Sequence, residues 1–503
     1  MIFYSNKPTF VLQVLVADHG INLAIHPPSF WFTEEPSIQG LIKVIRGEVV
    51  VRLAARTRLQ TPAAAVGVWL SCRTVLALSR SSNTHTYSYC SLAIYYCVLG
   101  IMATSSHKVK ASSLSPYAHH EDVVKLAVSQ NNFTRDLCVE LTQKIEGNLF
   151  FSPFSVMTAL GMTYAGAVGN TEQEMRSVMH LSQDKAAIHN AFQDVVTDLK
   201  SEAPHYEIRT SNMEYISDKM TILSDYNNIM KEKYLSCSKT VNFSEGEQVR
   251  KEINNAVEKE TNSHIKNLIP EGMFNSLTRM VLVNAVYFKG EWKKQFKNSA
   301  TEDEEFWITD SESTMVPMMH ITDNYCMQHD KDLGATFLVM EYKGSRLSMV
   351  FVLPDKRDGL AKVEANLPSV NLNKIGTNLP LVKVRVTLPK FKITKSLELV
   401  NHLKEMGVKD LFDASRSDLS GITGTKDLFV TDVIHQAYLE VNEKGSEAAA
   451  ATAIQGMVGS SWCLELHRFV ADHPFLFFIK DQRSGLVLFA GRLAVPQDLS
   501  AEG

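Results

Sequence analysis

Seven cysteines and sixteen histidines are the side chains with which this chain could hold a metal or attack a carbonyl, and their spacing points to neither. Cys72, Cys90, Cys97, Cys138, Cys237, Cys326 and Cys463 form no Cys-x-x-Cys pair and have no histidine at ligand spacing. Neither a zinc site nor a dense disulfide framework is expected. The Gly-x-Ser-x-Gly elbow, the Gly-x-x-x-x-Gly-Lys-Ser/Thr phosphate loop, the His-Glu-x-x-His helix and the dinucleotide fingerprint are absent from the sequence. The chain reads as a protein that is not an enzyme and that uses no cofactor and no metal.

The segment with the most unusual chemistry is Glu443-Lys-Gly-Ser-Glu-Ala-Ala-Ala-Ala-Thr-Ala-Ile-Gln-Gly-Met-Val-Gly-Ser-Ser-Trp-Cys-Leu. Taken alone its start is a helix, with Ser446 as N-cap, Glu447 in the first turn and four alanines behind them. Gly456, Gly459, Ser460 and Ser461 then break that helix, and Met457, Val458, Trp462, Cys463 and Leu464 give it no amphipathic face. As a strand the same residues behave differently. Alternation puts Ser446, Ala448, Ala450 and Thr452 on one face and Glu447, Ala449, Ala451 and Ala453 on the other. One row is small and uncharged throughout, so it could enter a packed sheet without a clash or a buried charge.

The elements around this segment divide the chain in two. Of 503 residues 45% are apolar and 21% charged, which is globular composition, and the net charge of −4 gives no case for binding nucleic acid. Residues 1–101 carry eight basic and four acidic side chains, against a net negative remainder. No sustained period of 2 or 3.6 runs through residues 1–110, so they are left unassigned, as a disordered extension or a segment with a targeting signal. The candidate signals are Phe10–Ala17, preceded by Lys7, and the uncharged stretch Ser91–Ala103. Helical periodicity begins near Glu121 and returns at Thr171–Leu181, Ala186–Leu199 and Gln248–Glu260. Strand-like runs then dominate, at Met280–Phe288, Leu347–Pro354, Val382–Pro389 and Leu486–Gly491. Helices first and strands later predict an α+β domain from about Glu121 onward.

Four ordered segments give this domain a specific likeness, which runs over residues 121–497. Glu443-Lys-Gly-Ser-Glu-Ala-Ala-Ala-Ala-Thr resembles the proximal hinge of inhibitory serpins, and Asn148-Leu-Phe-Phe-Ser-Pro-Phe-Ser-Val the family's early shutter region. Val283-Asn-Ala-Val-Tyr-Phe-Lys-Gly-Glu-Trp is similar to its third main-sheet strand, and Asp472-His-Pro-Phe-Leu-Phe-Phe-Ile to its closing signature. The resemblance implies the serpin fold: helices around a large mixed main β-sheet and smaller sheets, with an exposed reactive-centre loop at about 443–468. It implies a hinge of Glu443, Gly445, Ser446, Glu447, Ala448, Ala449, Ala450, Ala451 and Thr452. Ser152, Ser155, Asn284 and His435 would form the shutter, a polar cluster under the sheet where it opens. Trp292 and Lys390 would form the breach, with Lys390 pairing Glu443.

The implied function is suicide inhibition of a serine endopeptidase, which cleaves the loop and is trapped as a covalent complex when the loop inserts into the sheet. The family's usual spacing from the first hinge glutamate puts the residue before the cleaved bond at Gly459 or Ser460. The loop is a few residues longer than usual, which also admits Trp462 or Leu464. No Lys or Arg lies between Ser446 and His467, so a chymotrypsin- or elastase-like target is expected rather than a trypsin-like one. The alternatives are a non-inhibitory carrier or chaperone and an inhibitor of cysteine proteases. The acidic helix Ala186–Leu199 predicts no heparin dependence. A monomer is expected, secreted and glycosylated at the sequons Asn132-Phe-Thr and Asn242-Phe-Ser, or cytoplasmic if translation starts near Met102.

Overall fold

The computed structural model describes residues 117–200, 205–445 and 466–496 in full, together with the backbone of five strands between residues 11 and 74. It divides into two units, Met1–Lys110 and Ala111–Gly503. In the first, β1 (Val11–Ala17), β2 (Gly20–His26), β3 (Ile38–Ile45), β4 (Glu48–Ala55) and β5 (Val68–Thr74) form an antiparallel sheet in chain order. The sequence reading assigns no element here, and the structure differs. β2 does carry a strand period, with Ile21, Leu23 and Ile25 alternating against Asn22, Ala24 and His26, but one short run does not sustain it. Of the two targeting candidates, Phe10–Ala17 overlaps β1 and Ser91–Ala103 lies outside the described residues.

The second unit opens with helices. In α1 (His120–Lys144) Val123, Leu126, Ala127, Phe133, Leu137 and Leu141 are buried at helical spacing. α2 (Pro153–Gly166) is buried nearly all round, as its Phe, Met, Leu and Ala content requires, and starts at Ser152, whose hydroxyl accepts from the Ser155 amide. α3 (Gly169–Val178), α4 (Lys185–Lys200), α5 (Ser224–Lys233) and α6 (Gly246–Glu260) follow. The helices expected from periodicity at Glu121, Thr171, Ala186 and Gln248 are all present.

Two sheets complete the unit. The larger contains β6 (Leu149–Phe151), β10 (Thr301–Trp307), β11 (Ser313–Asp330), β12 (Ala335–Glu341), β13 (Leu347–Pro354), β14 (Leu381–Pro389), β17 (His467–Val470), β18 (Phe475–Asp481) and β19 (Val487–Leu493). The other contains β7 (Tyr206–Ser217), β8 (Ser238–Val241), β9 (Met280–Gly290), β15 (Phe391–Glu398) and β16 (Asp432–Val441), in the order β15-β16-β9-β7-β8. At its centre β16 and β9 run parallel, in register from Asp432↔Val281 to Leu439↔Phe288. β9 reads as a continuous apolar run because both its faces are covered. Val281, Val283, Ala285 and Tyr287 join the cluster that includes Val249, Ile253 and Val257 of α6. Leu282, Val286 and Phe288 join the main core with α2.

Candidate functional site: the parallel seam and its head

Where β16 meets β9, a row of polar side chains crosses an otherwise apolar sheet. His435 lies opposite Asn284, and Asn284 opposite Asn212 on β7. The Ser152 backbone N–H donates to His435 Nε2 at 3.0 Å. The ring proton therefore sits on Nδ1, which donates to Asn284 Oδ1. The Asn284 amide in turn donates to Ser155 Oγ at 2.5 Å and to Asn212 Oδ1. Ser155 Oγ donates to Asn212 Oδ1 at 2.9 Å, and Ser152 Oγ to the Leu488 carbonyl at 2.7 Å. Burial depresses the His435 pKa to about 3. A second proton would also point Nε2–H at the Ser152 N–H, donor against donor.

The four residues expected to cluster here, Ser152, Ser155, Asn284 and His435, are thus brought together, and Asn212 joins them. Nothing in the Thr210-Ser211-Asn212 run marks it out, because a polar residue on a half-buried strand has no distinguishing period.

The head of the seam is built from the residues just after β16. Trp292 is buried, stacks on Tyr342 at 4.5 Å between centroids, and donates from Nε1 to the Asn442 carbonyl at 3.1 Å. Its backbone N–H donates to the Lys444 carbonyl at 3.2 Å, and that of Phe296 to the Glu443 carbonyl at 2.9 Å. Lys390 Nζ stands 3.1 Å from Glu443 Oε2, and Thr301 Oγ donates to Glu443 Oε1 at 2.8 Å. Burial alone would raise the Glu443 carboxyl, but its own backbone N–H, Thr301 and Lys390 together hold it below the usual range. Gly445 has φ of +81°, and a Cβ there would lie 2.3 Å from the Trp292 nitrogen. The chain therefore leaves the sheet through a turn that only glycine fits.

On the opposite face a second contact spans the seam. Tyr287 of β9 and Tyr438 of β16 are register neighbours, 5.4 Å apart between centroids. His264, beyond the end of α6, stacks on Tyr287 at 3.9 Å and tilts toward Tyr438 at 5.2 Å. His264 carries no sequence signal, since aromatic stacking between distant segments leaves no periodicity.

The hinge residues Ser446, Glu447, Ala448, Ala449, Ala450, Ala451 and Thr452, and the cleavage candidates Gly459, Ser460, Trp462 and Leu464, lie outside the described residues. Asn132 is half-buried within α1, and Thr134 of its sequon is buried with its hydroxyl on the Gln130 carbonyl. Asn242 caps a short 3-10 turn, with Nδ2 on Glu245. Among the described residues no group of three or more His, Cys, Asp or Glu is placed to hold a metal, and no helix is long and apolar enough to cross a membrane.

A helix-covered α+β domain with a polar row across its central parallel pair matches a known family over most of its length. Residues 128–496 fit the model described as Serpin (serine protease inhibitor), and the chain belongs to the serpin family. It is 37% identical over 389 residues to Serpin B3 of Homo sapiens, covering 74% of this chain and 99% of that one. It is also 37% identical over 380 residues to the leukocyte elastase inhibitor of Bos taurus, covering 74% of this chain and all of the relative. Among solved structures it resembles Serpin48 of the insect Tenebrio molitor, with a TM-score of 0.68, 32% identity and coverage of 74% and 98%.

Proposed function

We propose that this chain is a suicide-substrate inhibitor of a chymotrypsin- or elastase-like serine endopeptidase. The observation that carries the reading is the closed parallel pairing of β9 and β16 with the Glu443–Gly445 turn at its head. The protease's serine attacks the loop carbonyl after Gly459, Ser460, Trp462 or Leu464 and forms an acyl-enzyme. The freed hinge, from Ser446 to Thr452, folds back along β16 and enters the seam, carrying the protease with it before water completes hydrolysis. Insertion of roughly a dozen residues at about 1 kcal/mol per strand hydrogen bond supplies on the order of 10 kcal/mol. The native state is held by a kinetic barrier, to which the His435–Asn284 row and the Glu443–Lys390 pair contribute.

The partner is the protease itself, in a covalent complex with a monomeric inhibitor, without heparin or cofactor. Secretion fits this role and the sequons, of which Asn242 is the better acceptor because Thr134 is sequestered in the Asn132 sequon. A cytoplasmic form starting near Met102 fits the same site. The relative named as an elastase inhibitor supports the target class.

The chain is incubated with chymotrypsin and with pancreatic elastase, the products are resolved in SDS, and the released C-terminal fragment is sequenced. An SDS-resistant complex and a new N-terminus within residues 460–465 are expected. Clean loop cleavage by both enzymes with no complex would move the reading to the non-inhibitory alternative.

A further inference from the structure

The reactive loop rejoins the described chain at Leu466 and runs directly into β17, which pairs in parallel with β14. In that register Arg468 is the direct cross-strand neighbour of Arg385, and Lys383 lies two residues along β14 on the same face. All three are exposed. Their neighbours on the other side of β14 are the neutral Thr322 and Asn324 of β11. The nearest acid in register, Asp323, is held by Lys294 at 2.5 Å. Among the described residues none of the three cations has an ion-pair partner within 4 Å, and Lys383 acts on Asp323 only at longer range.

Like charges placed directly opposite destabilise a sheet. Charge on an edge strand guards against edge-to-edge pairing, which accounts for Arg468 on β17. It does not account for Arg385, which sits one strand inside the edge, with Lys383 just before the first β17 pair, Val384↔His467. Apolar surface accompanies the charge, with Leu381 68% exposed and Val470 36% exposed at the two ends of the stripe. Basic side chains beside exposed leucine and valine fit a protein partner better than a sulfated polysaccharide, which would leave the apolar area wet.

The place of this surface says which protein. Leu464, the last of the cleavage candidates, lies four residues before Arg468, within about 14 Å of chain. A protease that covers about 800 Å² around the bond it cuts reaches about 16 Å from it. We propose that the outer face of β14 and β17, through Lys383, Arg385 and Arg468, is a docking surface for an acidic patch on the target protease. It steers the encounter and selects among proteases of the same bond specificity. This inference rests on the inhibitory reading of the loop.

The test measures second-order rate constants for loop cleavage and for complex formation, at about 50 and 300 mM salt. It uses the full chain, a Lys383→Glu/Arg385→Glu/Arg468→Glu variant and a milder Arg385→Gln/Arg468→Gln variant. Two chymotrypsin-like proteases of opposite net charge serve as probes. Cleavage reports the encounter whether or not trapping follows, so failure of the inhibitory reading appears as lost complex yield and failure of this inference as an unchanged rate. With the anionic protease the charge reversal is expected to slow cleavage about tenfold at low salt and to remove its salt dependence. The glutamine pair gives a smaller loss, and the cationic protease shows no loss. An anionic-protease rate that survives reversal overturns the proposal. So does a variant that loses retention on immobilised heparin while keeping its protease rates, which would assign the surface to a polysaccharide.

Discussion

His435 accepts from the Ser152 backbone, donates to Asn284, and has no open position for a second proton. Its folded pKa of about 3 lies below the ordinary histidine value of 6.5, so between those values the unfolded chain binds a proton that the native protein refuses. Native stability is thus complete above pH 6.5 and falls as the pH drops toward 3. His189, also buried and depressed to about 4 by burial and the nearby Lys185 and Lys233, acts in the same direction. Each histidine is expected to remove about 2 kcal/mol between pH 6.5 and 5. A urea midpoint that does not move over this range would contradict the assignment. Asn284→Ala leaves the His435 donor buried and unpartnered, which costs about 1–3 kcal/mol and should appear as a lowered melting temperature. The positions of Ser152, Ser155, Asn284 and His435 were legible in the sequence only through the family resemblance, because no spacing rule links residues so far apart. Asn212 and Thr301 were not legible even so. Each is one hydroxyl or amide on a strand, and only the register brings it to its partner.

At the scale of elements the long, strongly patterned runs were the readable ones. α1, α4 and α6 are amphipathic over several turns, β9, β13 and β19 are continuous apolar stretches covered on both faces, and β14 starts by alternating buried valines with exposed Lys383 and Arg385. β11 was not readable, because its burial does not alternate along its length. The hinge is tested at this scale. Ser446→Arg and Ala448→Glu each put a charge in the row expected to face the core during insertion, and each variant should be cut as a plain substrate without trapping protease. Unchanged complex yield would remove the insertion step from the mechanism. His264→Ala takes away the ring that bridges Tyr287 and Tyr438 across the seam. Separating those tyrosines by one inserted strand is incompatible with the stack, so the variant should convert to the loop-inserted form faster on heating. Conversion at the wild-type rate would show that the stack does not resist opening.

For the whole molecule the two units were legible only as a contrast in composition. The strands of residues 11–74 are short and their apolar runs ambiguous between strand and buried helix, whereas the family segments anchor residues 121–497. A chain starting at Met102 is expected to keep full trapping activity, since its hinge, seam and head all lie in the second unit. Loss of the complex in that truncated chain would give the first unit a role in inhibition. Heparin is expected to change the association rate less than tenfold, because α4 carries Asp194 and Asp198 with lysines only at its ends. A larger acceleration would assign heparin to a cationic surface other than α4, such as that of Lys383, Arg385 and Arg468.

The direction of the seam carries a consequence for dosage. β9 and β16 run parallel, so a chain that turns back from the end of β16 lies antiparallel to both, and one parallel pairing is exchanged for two antiparallel ones, the more stable kind per residue. An exchange of that sign has no spontaneous return. Under the proposed mechanism each molecule is spent on a single encounter, so the capacity to restrain proteolysis is set by the number of intact copies supplied, and renewal of the pool, rather than dissociation of complexes, restores it.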